Sequence, residues 1–122
     1  MTKFNTILII AKLVFLSFLS TAQKIDTISV KESYNYIGKE VVLKGKVLSA
    51  RRVESIKGIP TFFNFKEDTT HFTVLLWNDV AQLFKSRPDT TFKVGTFIKA
   101  KGKIELYKGK DQLVIRDPKN LN

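Results

Sequence analysis

Val41-Val42-Leu43-Lys44-Gly45-Lys46-Val47-Leu48 decides the fold. Successive side chains of a strand point to opposite faces. Val41, Leu43, Gly45 and Val47 therefore share one face, and Val42, Lys44, Lys46 and Leu48 the other. A glycine in mid-strand marks a bend or a close backbone approach, as at a barrel corner. A long strand bent in this way serves both halves of a small closed barrel.

The segments on either side complete the pattern. Upstream, Ser29-Val30-Lys31-Glu32 has the spacing of a capping box and opens a short helix over 30–36 that Gly38 ends. Helical spacing places Val30, Tyr34 and Ile37 on its buried face. Downstream, 55–60 is a loop, 61–66 a second strand, 67–70 a polar hairpin turn and 72–77 a third strand. Asn78 or Asp79 caps a helix that carries Val80, Leu83 and Phe84 and stops before Pro88. A fourth strand covers 96–106, a turn with Gly109 at positive φ follows, and a fifth strand covers 112–116. Three strands, a helix and two strands is the order of an all-β OB-fold, a five-stranded Greek-key barrel. An SH3-like barrel lacks the intervening helix.

The length of 122 residues fits one domain, and the 43% hydrophobic content supports a core. The first 22 residues read as a signal peptide. Lys3 supplies its positive start, Ile7 to Leu19 is apolar apart from Lys12, and Ser20-Thr21-Ala22 supplies a cleavage site. The run is shorter than the roughly 20 apolar residues of a spanning helix and carries a Lys, which makes an uncleaved anchor the weaker reading. Export to the periplasm or the exterior is therefore expected, with residues 23–122 as the mature domain and no stable membrane insertion after cleavage. The chain holds no cysteine, so neither a lipid-anchor motif nor a disulfide is available. The formal charge is +10, and only Lys3 and Lys12 lie in the leader, so the basic excess belongs to the domain. Such a surface attracts polyanions.

The residues for catalysis are missing. Zinc sites need several Cys or His ligands, and His71 is the single histidine. His71 stands at a hairpin shoulder without a nucleophile-elbow pattern. Glu67 and Asp68 are adjacent in a turn, and the barrel-facing positions are Val, Ile, Ala and Leu. A non-enzymatic domain is expected, with no metal or cofactor.

Binding residues are better represented. An OB-fold binds on the outer face of its second and third strands, between the loop joining strands one and two and the loop joining strands four and five. Alternation puts Phe63, Phe65, Phe72, Val74 and Leu76 in the core, and Phe62, Asn64, Thr73, Leu75 and Trp77 on the opposite face. Arg51, Arg52 and Lys57 lie in or beside the first framing loop, and Tyr107, Lys108, Lys110 and Gln112 at the second. Lys99, Lys101 and Lys103 form a stripe on the fourth strand, read either as phosphate contacts or as a solvated face that discourages edge pairing. Trp77 either stacks a base or packs on the helix that follows it. The candidate nucleic-acid-binding set is Arg51, Arg52, Lys57, Phe62, Asn64, Trp77, Lys101, Lys103, Tyr107, Lys108, Lys110 and Gln112. Cations with exposed rings are the chemistry of single-stranded nucleic-acid binding.

Ile37-Gly38-Lys39, Gly45-Lys46-Val47, Pro60-Thr61-Phe62-Phe63-Asn64-Phe65, Phe72-Thr73-Val74-Leu75-Leu76-Trp77 and the closing block from Gly102-Lys103-Ile104-Glu105-Leu106-Tyr107 to Ile115 resemble the OB-fold nucleic-acid-binding domains of secreted bacterial proteins. Such domains stand alone or are attached to extracellular sugar-nonspecific endonucleases. The resemblance implies nucleic-acid binding without catalysis, and leaves room for a separate nuclease as partner. The expected function is binding of single-stranded DNA or RNA, with low sequence specificity, by a monomer. The alternative is an exported module for a protein, an oligosaccharide or another small ligand in the same groove. Steep salt dependence marks the first. An anionic membrane is a third class, but the lysines lie on strands and no amphipathic helix has a basic face.

Overall fold

The computed structural model describes residues 24–122, so the expected signal segment lies outside the described residues. Six strands follow one another: β1 (Asp26–Ser29), β2 (Glu40–Arg52), β3 (Thr61–Glu67), β4 (Thr70–Leu76), β5 (Phe97–Tyr107) and β6 (Lys110–Val114). They are hydrogen-bonded in the order β1-β2-β3-β4-β6-β5, and β5 pairs back onto β2. β4 and β6 run parallel, while β2–β3, β3–β4, β5–β6 and β2–β5 are antiparallel. Strands β2 to β6 thus close a five-stranded barrel with the strand order of an OB-fold.

The alternation of the sequence builds the core. Val41, Leu43 and Val47 of β2 meet Phe63 and Phe65 of β3, Phe72, Val74 and Leu76 of β4, Ile98, Ala100 and Ile104 of β5, and Leu113 of β6. Gly45 belongs to this inward set. A Cβ there would lie 2.8 Å from Phe65 Cδ1 and 2.9 Å from Val30 Cγ2, so the missing side chain lets the Phe65 ring cross the strand. The pairing of β2 with β3 shifts register between Val47 and Ser49. The same strand pairs with β5 from Glu40 to Lys46 and with β3 from Val47 to Arg52, so it serves both sides of the barrel.

Several expectations need correction. Residues Val30–Tyr36 form a 3-10 helix. Its three-residue repeat turns Val30, Ser33 and Tyr36 inward and leaves Tyr34 74% exposed, where a 3.6-residue period would bury it. The Glu32 carboxylate accepts from the Ser29 N–H at 3.1 Å and from its hydroxyl at 3.0 Å, which holds the helix start as the sequence spacing suggested. β1 pairs parallel with β2, Asp26 opposite Val41 and Ser29 opposite Lys44. Its four residues are too few to show a period in the sequence. The helix between the third and fourth barrel strands is two single turns, α1 (Asn78–Ala81) and α2 (Pro88–Thr91). Trp77, and not Asn78 or Asp79, occupies the N-cap of α1, while Val80 and Phe84 pack on the core and Leu83 is 66% exposed. After the last strand, Leu121 is buried opposite Ala100, and Asn122 exchanges backbone hydrogen bonds with Lys99 at 2.6 and 3.0 Å.

Candidate nucleic-acid interface

The outward residues of β2, β3, β4 and β6 line up in two rows. In the first, Arg51 lies opposite Phe62, Phe62 opposite Leu75, and Leu75 opposite Val114. Leu75 points outward yet is 5% exposed, sitting between Phe62 and Val114 in the row. In the second, Ser49, Asn64, Thr73 and Gln112 are successive neighbours, and Gln112 faces Glu105 of β5. The polar row is bonded: Asn64 Nδ2 donates to Ser49 Oγ at 2.9 Å, and Thr73 Oγ1 donates to Asn64 Oδ1 at 2.9 Å. The Asn64 amide keeps one more hydrogen and one more lone pair for a ligand.

The hairpin between β5 and β6 forms the other wall. Its turn residues, Lys108 and Gly109, have φ of 51° and 77°. Positive φ at both central positions is the type I′ geometry that matches strand twist. Tyr107 stands opposite Lys110, is 57% exposed, and carries the Lys108 ammonium 5.4 Å from its ring centroid. A groove of about 310 Å³ separates Arg51, Phe62, Asn64 and Thr73 from Tyr107, Lys108, Lys110, Asp111 and Gln112. A cleft of about 570 Å³ adjoins it through Asn64, Thr73, Lys110 and Asp111, and reaches His71. The opening follows from the short β4–β6 pairing, which begins only at Thr73 and Gln112.

Charge is concentrated on one sign. Among the described residues the ion pairs are Lys31–Asp68, Arg52–Glu54 and Arg87–Asp89, so Arg51, Lys108 and Lys110 face the groove without a paired carboxylate. Asp111 is the single acidic residue of the lining. Outside the groove, the hydrogen bond and charge of Asp89 raise the pKa of the Arg87 guanidinium above its ordinary value.

Seven of the twelve sequence candidates line the groove: Arg51, Phe62, Asn64, Tyr107, Lys108, Lys110 and Gln112. The structure does not bring the other five there. Arg52 lies opposite Thr61, beside α1 and α2, with its Nε 3.6 Å from Glu54 Oε1. Lys57 is exposed on the loop from 53 to 60. Trp77, 39% exposed, packs on that same loop, where a Cβ on Gly58 would come within 2.9 Å of its Cε3. Lys101 and Lys103 lie opposite Val42 and Glu40 of β2, on the wall of β1, β2 and β5. Alternation marks them as outward, but it does not mark where β5 exchanges β2 for β6 as partner, between Lys103 and Ile104. The groove adds Thr73 and Asp111, and Ser49 supports its floor. The outward phase of Thr73 was visible in the alternation of its strand.

No family model and no curated protein matches this chain. Solved structures do. The chain is similar to a putative aspartyl-tRNA synthetase from Leishmania major Friedlin, with a TM-score of 0.52 and 10% identity over 80% of this chain and 21% of that one. It is also similar to the asparaginyl-tRNA synthetase of Pyrococcus horikoshii, with a TM-score of 0.57 and 16% identity over 78% of this chain and 22% of that one. The same enzyme complexed with asparaginyl-adenylate gives a TM-score of 0.52 at 16% identity, over 72% and 19%. What is shared is the fold. The chain spans about a fifth of the length of these synthetases.

Proposed function

We propose that this chain is an exported, non-catalytic OB-fold module that binds single-stranded nucleic acid with little sequence preference. The observation that carries the reading is the groove itself. Three cations without paired carboxylates, Arg51, Lys108 and Lys110, surround two accessible rings, Phe62 and Tyr107, above a bonded polar floor. Phosphates take the cations and release counterions. Bases stack on the rings, each worth about 1–3 kcal/mol and tolerant of sequence because every base has a π-face. The synthetases that share the fold are named for tRNA, which supports a nucleic acid as ligand.

A helper role beside a separate nuclease is compatible with this reading, and a pull-down with the purified protein tests it. Fluorescent single-stranded DNA and RNA, titrated at two salt concentrations, test the reading. Binding in the micromolar range or tighter that weakens steeply with salt, and is lost in Arg51→Ala/Lys108→Ala/Lys110→Ala, supports it. Retention of affinity in that triple variant places the ligand elsewhere. An oligosaccharide is the second reading, favoured by the Asn64–Thr73–Gln112 row beside two rings, and its binding would be insensitive to salt. Export is checked by the N-terminal sequence of the mature protein, expected to begin at Gln23.

A further inference from the structure

The outward residues of β5 run, in order, Phe97, Lys99, Lys101, Lys103, Glu105 and Tyr107. At about 3.4 Å per residue the strand is roughly 34 Å long. One end, Tyr107, lines the groove. The other end, Phe97, is 67% exposed on the far wall of the barrel. Between them Lys99 stands directly opposite Lys44, and Phe97 opposite Lys46. Like charges directly across a strand pair are destabilising, and none of Lys44, Lys46, Lys99, Lys101 and Lys103 has an ion-pair partner among the described residues. Beside Phe97, the chain leaves a cleft of about 550 Å³ between the end of β1 and the end of β3, lined by Lys44, Lys46 and Lys66 with a single carboxylate, Glu67.

We infer that β5 is a second contact surface for the same nucleic-acid strand, leading from the groove over its three lysines to a stacking platform at Phe97. The inference rests on the groove reading and extends it: the occupied length grows from the few nucleotides the groove holds toward the upper part of the 4–16 nucleotide range of an OB-fold. The charge pattern favours a polyanionic strand over a lipid surface. The lysines form a line along one strand with an exposed ring at each end, whereas a bilayer asks for cations and apolar tips at one depth. The exposed Leu48 and Val94 make an anionic vesicle the competing occupant.

The test compares oligonucleotides of 4 and 16 thymidines on the purified wild-type protein, on Lys99→Gln/Lys101→Gln/Lys103→Gln, on Phe97→Leu and on the Arg51→Ala/Lys108→Ala/Lys110→Ala groove variant. All substituted lysines and Phe97 are outward-facing, and thermal melts check that each variant folds. The wild type should bind the 16-mer more tightly than the 4-mer. The lysine variant should lose roughly tenfold for the 16-mer, with its salt slope falling by about 2 at about 0.7 per phosphate contact, and nothing for the 4-mer. Phe97→Leu should weaken the 16-mer alone, because leucine keeps the apolar bulk and removes the stacking face. Equal losses for both lengths, or none, overturn the inference while leaving the groove reading intact. A 16-mer lost in the lysine variant but unaffected in the groove variant would overturn the groove reading and keep the β5 surface. Phosphatidylserine vesicles that bind wild type and Phe97→Leu alike, with no length effect on oligonucleotides, assign the face to lipid and overturn the inference.

Discussion

Asn64 is the residue on which stability and binding can be separated. Its amide is held by Ser49 and Thr73, so Asn64→Ala breaks two partly buried hydrogen bonds and should cost about 1–2 kcal/mol in denaturant melts. Asn64→Asp keeps an oxygen for each hydroxyl to donate to but places a carboxylate under Phe62 and Arg51. Its melting point should stay near wild type while affinity for single strands falls severalfold. Equal affinity in the two proteins would mean that no phosphate passes over this position. Gly45 shows the opposite case, a residue set purely by packing. Gly45→Ala puts a methyl group 2.8 Å from Phe65 Cδ1 and should destabilise the barrel by about 1–3 kcal/mol, read as a lower midpoint with an unchanged slope.

At the scale of the element, the β5–β6 hairpin carries a local conflict. Lys108 holds φ of 51°, a left-handed conformation that Asn and Gly tolerate better than Lys. Lys108→Asn should therefore raise stability by a few tenths to about 1 kcal/mol and, by removing a groove cation, lower affinity and reduce the salt slope by about 0.7. An unchanged affinity and salt slope would show that Lys108 does not contact the ligand. Strands were the legible elements. Alternation groups Val41, Leu43 and Val47 on one face and separates Phe63 and Phe65 from Phe62 and Asn64, and the pair Phe63 and Phe65, the better core candidate, is the buried one. The 3-10 period over Val30–Tyr36 is not legible, because helical spacing assumes 3.6 residues per turn and turns Tyr34 inward, where the structure exposes it. The contact of Trp77 with Gly58 is not legible, because Gly58 belongs to a loop that has no period. Alternation turns Lys101 and Lys103 outward, but a barrel has more than one outward side, and pairing partners distant in sequence decide which.

Across the whole molecule the basic excess sets two responses to salt of opposite sign. Without Lys3 and Lys12 of the expected leader the domain keeps a net charge of +8, which repels itself in the compact state, so moderate salt should raise the melting temperature of the free domain while it weakens the complex. Melts and titrations over one salt series check this; a free protein insensitive to salt would mean that the lysine ladder carries little repulsion. Closure is the other property of the whole. Leu121, outside every strand, is buried against Ala100 at the edge of β5, and Leu121→Ala should cost about 2–4 kcal/mol. A loss below 1 kcal/mol would show that the tail is dispensable for the barrel.

The pairing of β2 with β5 also bears on how the molecule is made. Glu40 lies opposite Lys103, about half the chain away, and the parallel β4–β6 pair closes only after both. Contacts so remote in sequence make for slow folding, in the millisecond-to-second range typical of β-barrels. A nascent chain that has emerged only as far as Trp77 holds β2, β3 and β4 but not the strand that shuts the barrel, and it remains a threadable polymer. Folding of the barrel is thereby postponed until β5 and β6 have followed, and over that interval the half-made sheet exposes the inward Phe63, Phe65 and Phe72 to any chaperone within reach.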